Sequence, residues 1–125
     1  MSRKTIANLL RTFPIAALIA CASVSAPTIA ASFVVNNTGD AGDANPGDGV
    51  CATAGNVCTL RAAIEEANAL AGADSIGFNL SGSGVITITK TSAFPDITGV
   101  VHINGYSQTG ATANTLAVGS NATLR

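Results

Sequence analysis

The sequence predicts a mainly β chain with one helix near its front, on three observations. First, apolar residues alternate with small polar ones in Ile76-Gly77-Phe78-Asn79-Leu80 and in Val85-Ile86-Thr87-Ile88-Thr89, the period-two signature of strands. Second, these segments are short and separated by turn-formers such as Ser81-Gly82-Ser83-Gly84, with no helical pattern between them. Third, a single stretch, Leu60 to about Ala71, carries helical spacing instead. Short strands joined by polar turns suit either a sandwich or a coiled solenoid, and periodicity alone does not separate the two.

The elements follow in order. Phe33 to Val35 reads as a short β-branched strand, and Asn36 to Val50 as a loop dense in Gly, Asp and Asn with Pro46. Cys51 to Cys58 continues the loop. The helix then starts on Thr59 as N-cap and stops with Gly72 in the C′ position. Leu60, Ile64, Ala67 and Ala71 share one face with Leu70 on its flank, while Arg61, Glu65, Glu66 and Asn68 point elsewhere. Arg61 and Glu65 form an i, i+4 pair of the kind that contributes about 0.2–0.5 kcal/mol. Beyond the helix, Phe94-Pro95-Asp96-Ile97 makes a corner, Val101 to Ile103 a strand, Gly110 to Asn114 a loop, and Ala122 to Leu124 the start of a further strand.

A chain of 125 residues allows one domain. Its front reads as an export signal over residues 1–31: Arg3, Lys4 and Arg11 precede an apolar, small-residue stretch, with cleavage expected after Ala26, Ala30 or Ala31. Pro14 and Pro27 leave its apolar run short of the roughly 18 residues a spanning helix needs, so no transmembrane span is expected after cleavage. Leu18-Ile19-Ala20-Cys21 also looks like a lipobox. In that alternative Cys21 is lipidated and the product is an anchored lipoprotein rather than a secreted or cell-surface protein.

Residues 32–125 keep Arg61, Lys90 and Arg125 as their only basic residues against seven acidic ones, a net charge of −4. Three scattered cations cannot neutralise a phosphate backbone, which excludes nucleic acid as an expected partner. Cys51 and Cys58 are the two cysteines outside the signal, and an even pair in an exported chain reads as a disulfide. Metal binding by the pair lacks a third and fourth ligand, since the sole histidine, His102, is far away in sequence.

The run from Cys58 to Ile64, Cys-Thr-Leu-Arg-Ala-Ala-Ile, with Glu65-Glu66-Ala67-Asn68 after it, resembles the CSLREA domain family. The upstream Phe33-Val34-Val35-Asn36-Asn37-Thr38-Gly39-Asp40 and the downstream Ala73-Asp74-Ser75-Ile76, Gly84-Val85-Ile86 and Ile103-Asn104-Gly105-Tyr106 are similar to that family in the same order. Two letters depart from the naming motif, Thr59 for serine and Ala62 for glutamate. The second removes the reciprocal carboxylate of a capping box.

The resemblance implies an N-terminal capping helix followed by the first coils of a right-handed parallel β-helix, truncated at its C-terminus, in residues 32–125. A solenoid needs terminal caps. A helix laid across the first coil would cover its interior and open edge, with Leu60, Ile64 and Ala67 as the plug and the Cys51–Cys58 staple fixing the entry to Thr59.

Few residues point to chemistry. Asp40, Asp43, Asn45 and Asp48 could gather oxygen ligands for Ca²⁺, but no glutamate closes the loop as an EF-hand requires, and a solvated turn is the plainer reading. Glu65 and Glu66 are adjacent and diverge by about 100° on a helix, which does not make an acid/base pair. Asp74 and Asp96 sit at turns with nothing to bring them together, and His102 alternates outward between Val101 and Ile103. The sequons at Asn36 and Asn121 are incidental in a bacterial-type exported chain. No phosphate loop, zinc signature or nucleophile motif is present, and no cofactor is implied.

The expectation is therefore a non-catalytic capping and structural module of an exported protein, suited to surface adhesion or glycan binding. Its partner would be the C-terminal remainder of its own β-helix, or a surface glycan or protein. The alternative is the cap of a carbohydrate-active β-helix enzyme, a polysaccharide lyase or hydrolase, whose active site lies beyond residue 125. The front of a longer protein and a small domain that dimerises through its open end both fit Thr123-Leu124-Arg125 as a strand cut short.

Overall fold

A computed structural model describes residues 28–123 and 125. The export signal and Cys21 therefore fall outside the described residues, apart from the signal's last four positions, 28–31.

Three strands, β1 (Ser32–Val35), β2 (Ala73–Phe78) and β3 (Val100–Ile103), pair in the order β1-β2-β3, all parallel. One helix, α1 (Leu60–Ala69), connects the first two strands. Parallel neighbours need a crossover connection, and the β1–β2 crossover holds the helix. The register sets Phe33 beside Ile76 and Ile76 beside Ile103, so one row of side chains crosses the whole sheet.

The β-helix expectation is overturned. The three strands form a single open sheet with one helix, and no coil is present among the described residues. A coil needs its chain to cross further sheets before returning. Here residues 79–99 run as irregular backbone, and residues 36–59 form loop before the helix. Val85 to Thr89, expected as a strand from its alternation, has none of the pairing of one. Its single backbone tie is from the Thr89 N–H to the Thr38 carbonyl, at 3.0 Å. Ile86 and Ile88 instead turn their side chains onto the core. Ala122 to Leu124 is likewise no strand over its described residues: Thr123 makes one isolated antiparallel bridge with Thr112.

The helix forms for local reasons and ends for tertiary ones. Thr59 is extended, and its hydroxyl accepts from the Ala62 N–H at 3.1 Å, as an N-cap should. No glycine or proline interrupts residues 60–71. The helix nevertheless stops two residues before the expected Ala71, because Leu70 turns extended and packs beside the core. Gly72 follows with φ +150, and a Cβ there would sit 2.6 Å from the Ile29 carbonyl oxygen. Glycine permits that approach while the signal is attached, and the positive φ as the chain swings into β2 calls for glycine with or without it.

The core lies between α1 and the β1–β2 half of the sheet. Phe33, Val35 and Ile76 meet Ala63, Ile64 and Ala67 from the helix, with Cys58 and Leu80 closing the ends. Leu60, placed on the plug face by its spacing, is only half-buried, and Ala62 and Ala63 are buried instead. The buried face is thus rotated about one residue from the expected one. Alanines at the contact let the helix come close to the strands.

Candidate functional site

The polar residues of the chain converge on α1 and the loop at residues 36–58 that wraps it. Cys51 and Cys58 are joined by a disulfide, with their Cα atoms 5.2 Å apart. The Cys58 carbonyl accepts the N–H groups of Asn36 at 3.0 Å and Asn37 at 3.1 Å, and the Asn36 side-chain oxygen accepts the Cys58 N–H at 2.9 Å. The end of β1 is thereby stitched to the start of the helix. Thr59 completes the joint by donating its hydroxyl to the Ala41 carbonyl at 2.6 Å.

Arg61 turns away from Glu65. Its guanidinium grips both oxygens of Asp40, Nε to Oδ1 and Nη2 to Oδ2, each at 3.0 Å. It also donates to the carbonyls of Ser92 and Ala93 and to the Ser92 hydroxyl, and lies 5.3 Å from the centroid of the Phe94 ring. Asp40 takes two more bonds at 2.7 Å, from the Thr91 N–H and hydroxyl. The Arg61 hydrogen bonds, with those of Thr91 next, hold the Asp40 carboxyl well below the usual carboxylate range. This fork joins the first loop to residues 91–94 across the helix.

Glu66, expected to point away from the apolar face of the helix, is 0 % exposed. One oxygen accepts the Gly47 N–H at 2.6 Å and the other accepts the Gly49 N–H. Both glycines have positive φ, 101° and 86°, which aims their N–H groups inward onto one anion, in the manner of a backbone nest. Glu65 diverges from it, as adjacent helical residues must, and accepts the Asp43 N–H at 2.7 Å. Asn68 holds the third segment: it donates to the Asp96 carbonyl at 2.8 Å and accepts from the Thr98 N–H at 2.9 Å.

The acidic loop is equally committed. Asp43 accepts from the Asn45 and Ala52 N–H groups, both at 2.8 Å, and Asp48 accepts from Val50. The bonds to Asn45 and Val50 are Asx-type turns, in which the side chain replaces a missing backbone partner, and the bond to Ala52 closes the loop across nine residues. No group of three or more His, Cys, Asp or Glu residues is placed to hold a metal ion among the described residues. Asp74 is buried and Asp96 exposed, and His102 is exposed at the rim of the sheet.

At the opposite end of β2, Gln108 acts as a surrogate strand. Its side-chain amide accepts the Leu80 N–H at 2.8 Å and donates to the Leu80 carbonyl at 2.9 Å. A cleft of about 120 Å³ opens beside it, lined mainly by Phe78, Leu80, Ile86 and Ile88. It is small and apolar, with no convergent set of titratable groups.

Sequence reasoning missed Glu66 and the Asp40–Arg61 fork. For Glu66 the available signal was the pair Gly47 and Gly49, separated by Asp48 in a loop that must pass a carboxylate-bearing helix. No protein-family model, curated protein or solved structure matches the chain. The CSLREA resemblance accordingly rests on the motif and its flanking segments in the sequence alone.

Proposed function

We propose that this chain is a non-catalytic capping module of an exported protein. In this reading α1 and its stapled loop close one side of the sheet, and the far edge of β3 receives a further strand of the same exported polypeptide.

The observation that supports it is the row Phe33, Ile76, Ile103. Its members are neighbours in register, yet their exposures are 4 %, 0 % and 42 %. The helix covers the first two and leaves the third bare. Val100, at 70 % exposure, is a further bare apolar side chain on the opposite face of the same edge strand. The Asn104 N–H donates to the Ile76 carbonyl, so alternation along β3 aims the N–H and C=O groups of Val101 and Ile103 outward. An unpaired edge flanked by apolar side chains is a template for strand addition. The polar residues around α1 fit the same role, because Asp40, Asp43, Glu65 and Glu66 are each engaged in holding backbone.

Sedimentation of the chain over a range of concentrations tests the proposal, with a second copy standing in for the added strand. The chain should self-associate, and Ile103→Pro should keep it monomeric, because proline removes only an outward N–H. A monomer at every concentration, or association unchanged by Ile103→Pro, would count against it.

A further inference from the structure

Asp74 is 2 % exposed on the inward side of β2, one residue pair before the buried Ile76. Its Oδ1 accepts the Ala31 N–H at 2.8 Å, and its Oδ2 is buried with no partner among the described residues. A buried carboxylate served by one neutral donor is costly, and a cation beside it removes most of that cost. The side-chain cations of residues 32–125 do not supply it. Arg61 is held by Asp40, Arg125 donates to the Gly110 carbonyl, and Lys90 is exposed.

We infer that the missing cation is the chain's own α-ammonium, created by export cleavage between Ala30 and Ala31 and seated on Asp74. The inference rests on the export reading. Thr28 and Ala30 place small residues at the third and first positions before that bond, as an export peptidase requires. Residues 28–30 are exposed, whereas Ala31 is fixed from both sides, its N–H on Asp74 and its carbonyl accepting the Ser75 N–H at 2.9 Å. Cleavage after Ala31 would discard both bonds, and cleavage after Ala26 would leave the nitrogen an uncharged amide. In the proposed step, water adds across the Ala30–Ala31 amide. Ala30 leaves as a carboxylate, and the Ala31 amine takes up a proton to become –NH₃⁺. The new group carries N–H donors for both Asp74 oxygens, and cleavage thereby completes the first row of the sheet.

The test is to export the full chain from a bacterial host and determine the N-terminus of the product by sequencing and intact mass. A start at Ala31 is expected. A start at Cys21, Pro27 or Ser32 would overturn the inference and leave export standing, whereas an uncleaved Met1 start would overturn the export reading itself. A second measurement asks whether the amine is paired. In a Lys90→Arg variant the mature chain retains no other amine, so acetylation modifies the N-terminus alone. Acetylation should lower the Tm of that variant by about 4–8 °C or more, and should move the Lys90→Arg/Asp74→Asn protein far less. An unchanged Tm in the Lys90→Arg protein overturns the inference, even if the Asp74→Asn protein does not fold.

Discussion

Glu66→Gln probes the arrangement of loop and helix most sharply, because it changes one atom of the side chain and nothing in its shape. Glu66 spends both oxygens on backbone donors, the N–H groups of Gly47 and Gly49. An amide can satisfy one of them. Its NH₂ must then face the other N–H, so that one bond is lost and two donors oppose each other in a buried space. A hydrogen bond to a charged acceptor contributes about 1.5–3 kcal/mol, and a buried donor left unmatched costs about 1–3 kcal/mol. Both glycines are exposed, so water recovers part of the loss on the loop side. The expected destabilisation is about 2–3 kcal/mol, at the middle of those ranges. Denaturant unfolding with an unchanged m-value measures it. Amide exchange localises it, with Gly47 and Gly49 losing protection before the strands do. A change below about 0.5 kcal/mol, the level of an ordinary surface substitution, would refute the reasoning.

Other outcomes follow from the same contacts. Replacing Cys51 and Cys58 together by alanine removes the staple and should cost about 2.5 kcal/mol in the chain-entropy picture, read as a lowered denaturation midpoint; an unchanged midpoint would show that the loop is fixed without it. Ile64→Asp places a carboxylate against Phe33 and Ile76 and should drive aggregation detectable by light scattering, so a soluble, equally stable variant would contradict the core assignment. Asp40 has a depressed folded pKa, so its contribution is present above the unfolded value of about 3.9 and is lost as pH falls below it. Asp40→Asn should therefore be less stable than the parent at neutral pH and show a shallower decline of Tm between about pH 4 and pH 2. Parallel curves for the two proteins would sink that account.

What was legible in the sequence was local. The Thr59 cap, the helix behind it and the strands at Phe33–Val35 and Val101–Ile103 depend on neighbours a few residues away, and each is present, each strand lengthened by one residue. The partners of the helix's charged residues were not legible, because they are chosen across loops. Arg61 takes Asp40, 21 residues back, over Glu65 on the adjacent turn, since Asp40 offers a bidentate fork and Thr91 helps fix it. Glu66 is buried only because residues 47–49 fold over it.

Alternation misled in a different way. In Val85 to Thr89 it marks which side chains face the core, Ile86 and Ile88, and it carries no information about backbone pairing. The β-helix expectation failed at the same point. Parallel strands in sequential order are present, but the segments that would have to supply the other sheets of a coil remain irregular.

The capping account rests on an uncovered β3 edge, and amide exchange at Val101 and Ile103 tests it most directly. Both N–H groups should exchange quickly in dilute solution, faster than that of Asn104, which is bonded to Ile76, and should gain protection as the chain is concentrated. Protection already complete at high dilution, with no dependence on concentration, would mean that the edge is covered by the chain itself and would contradict the account.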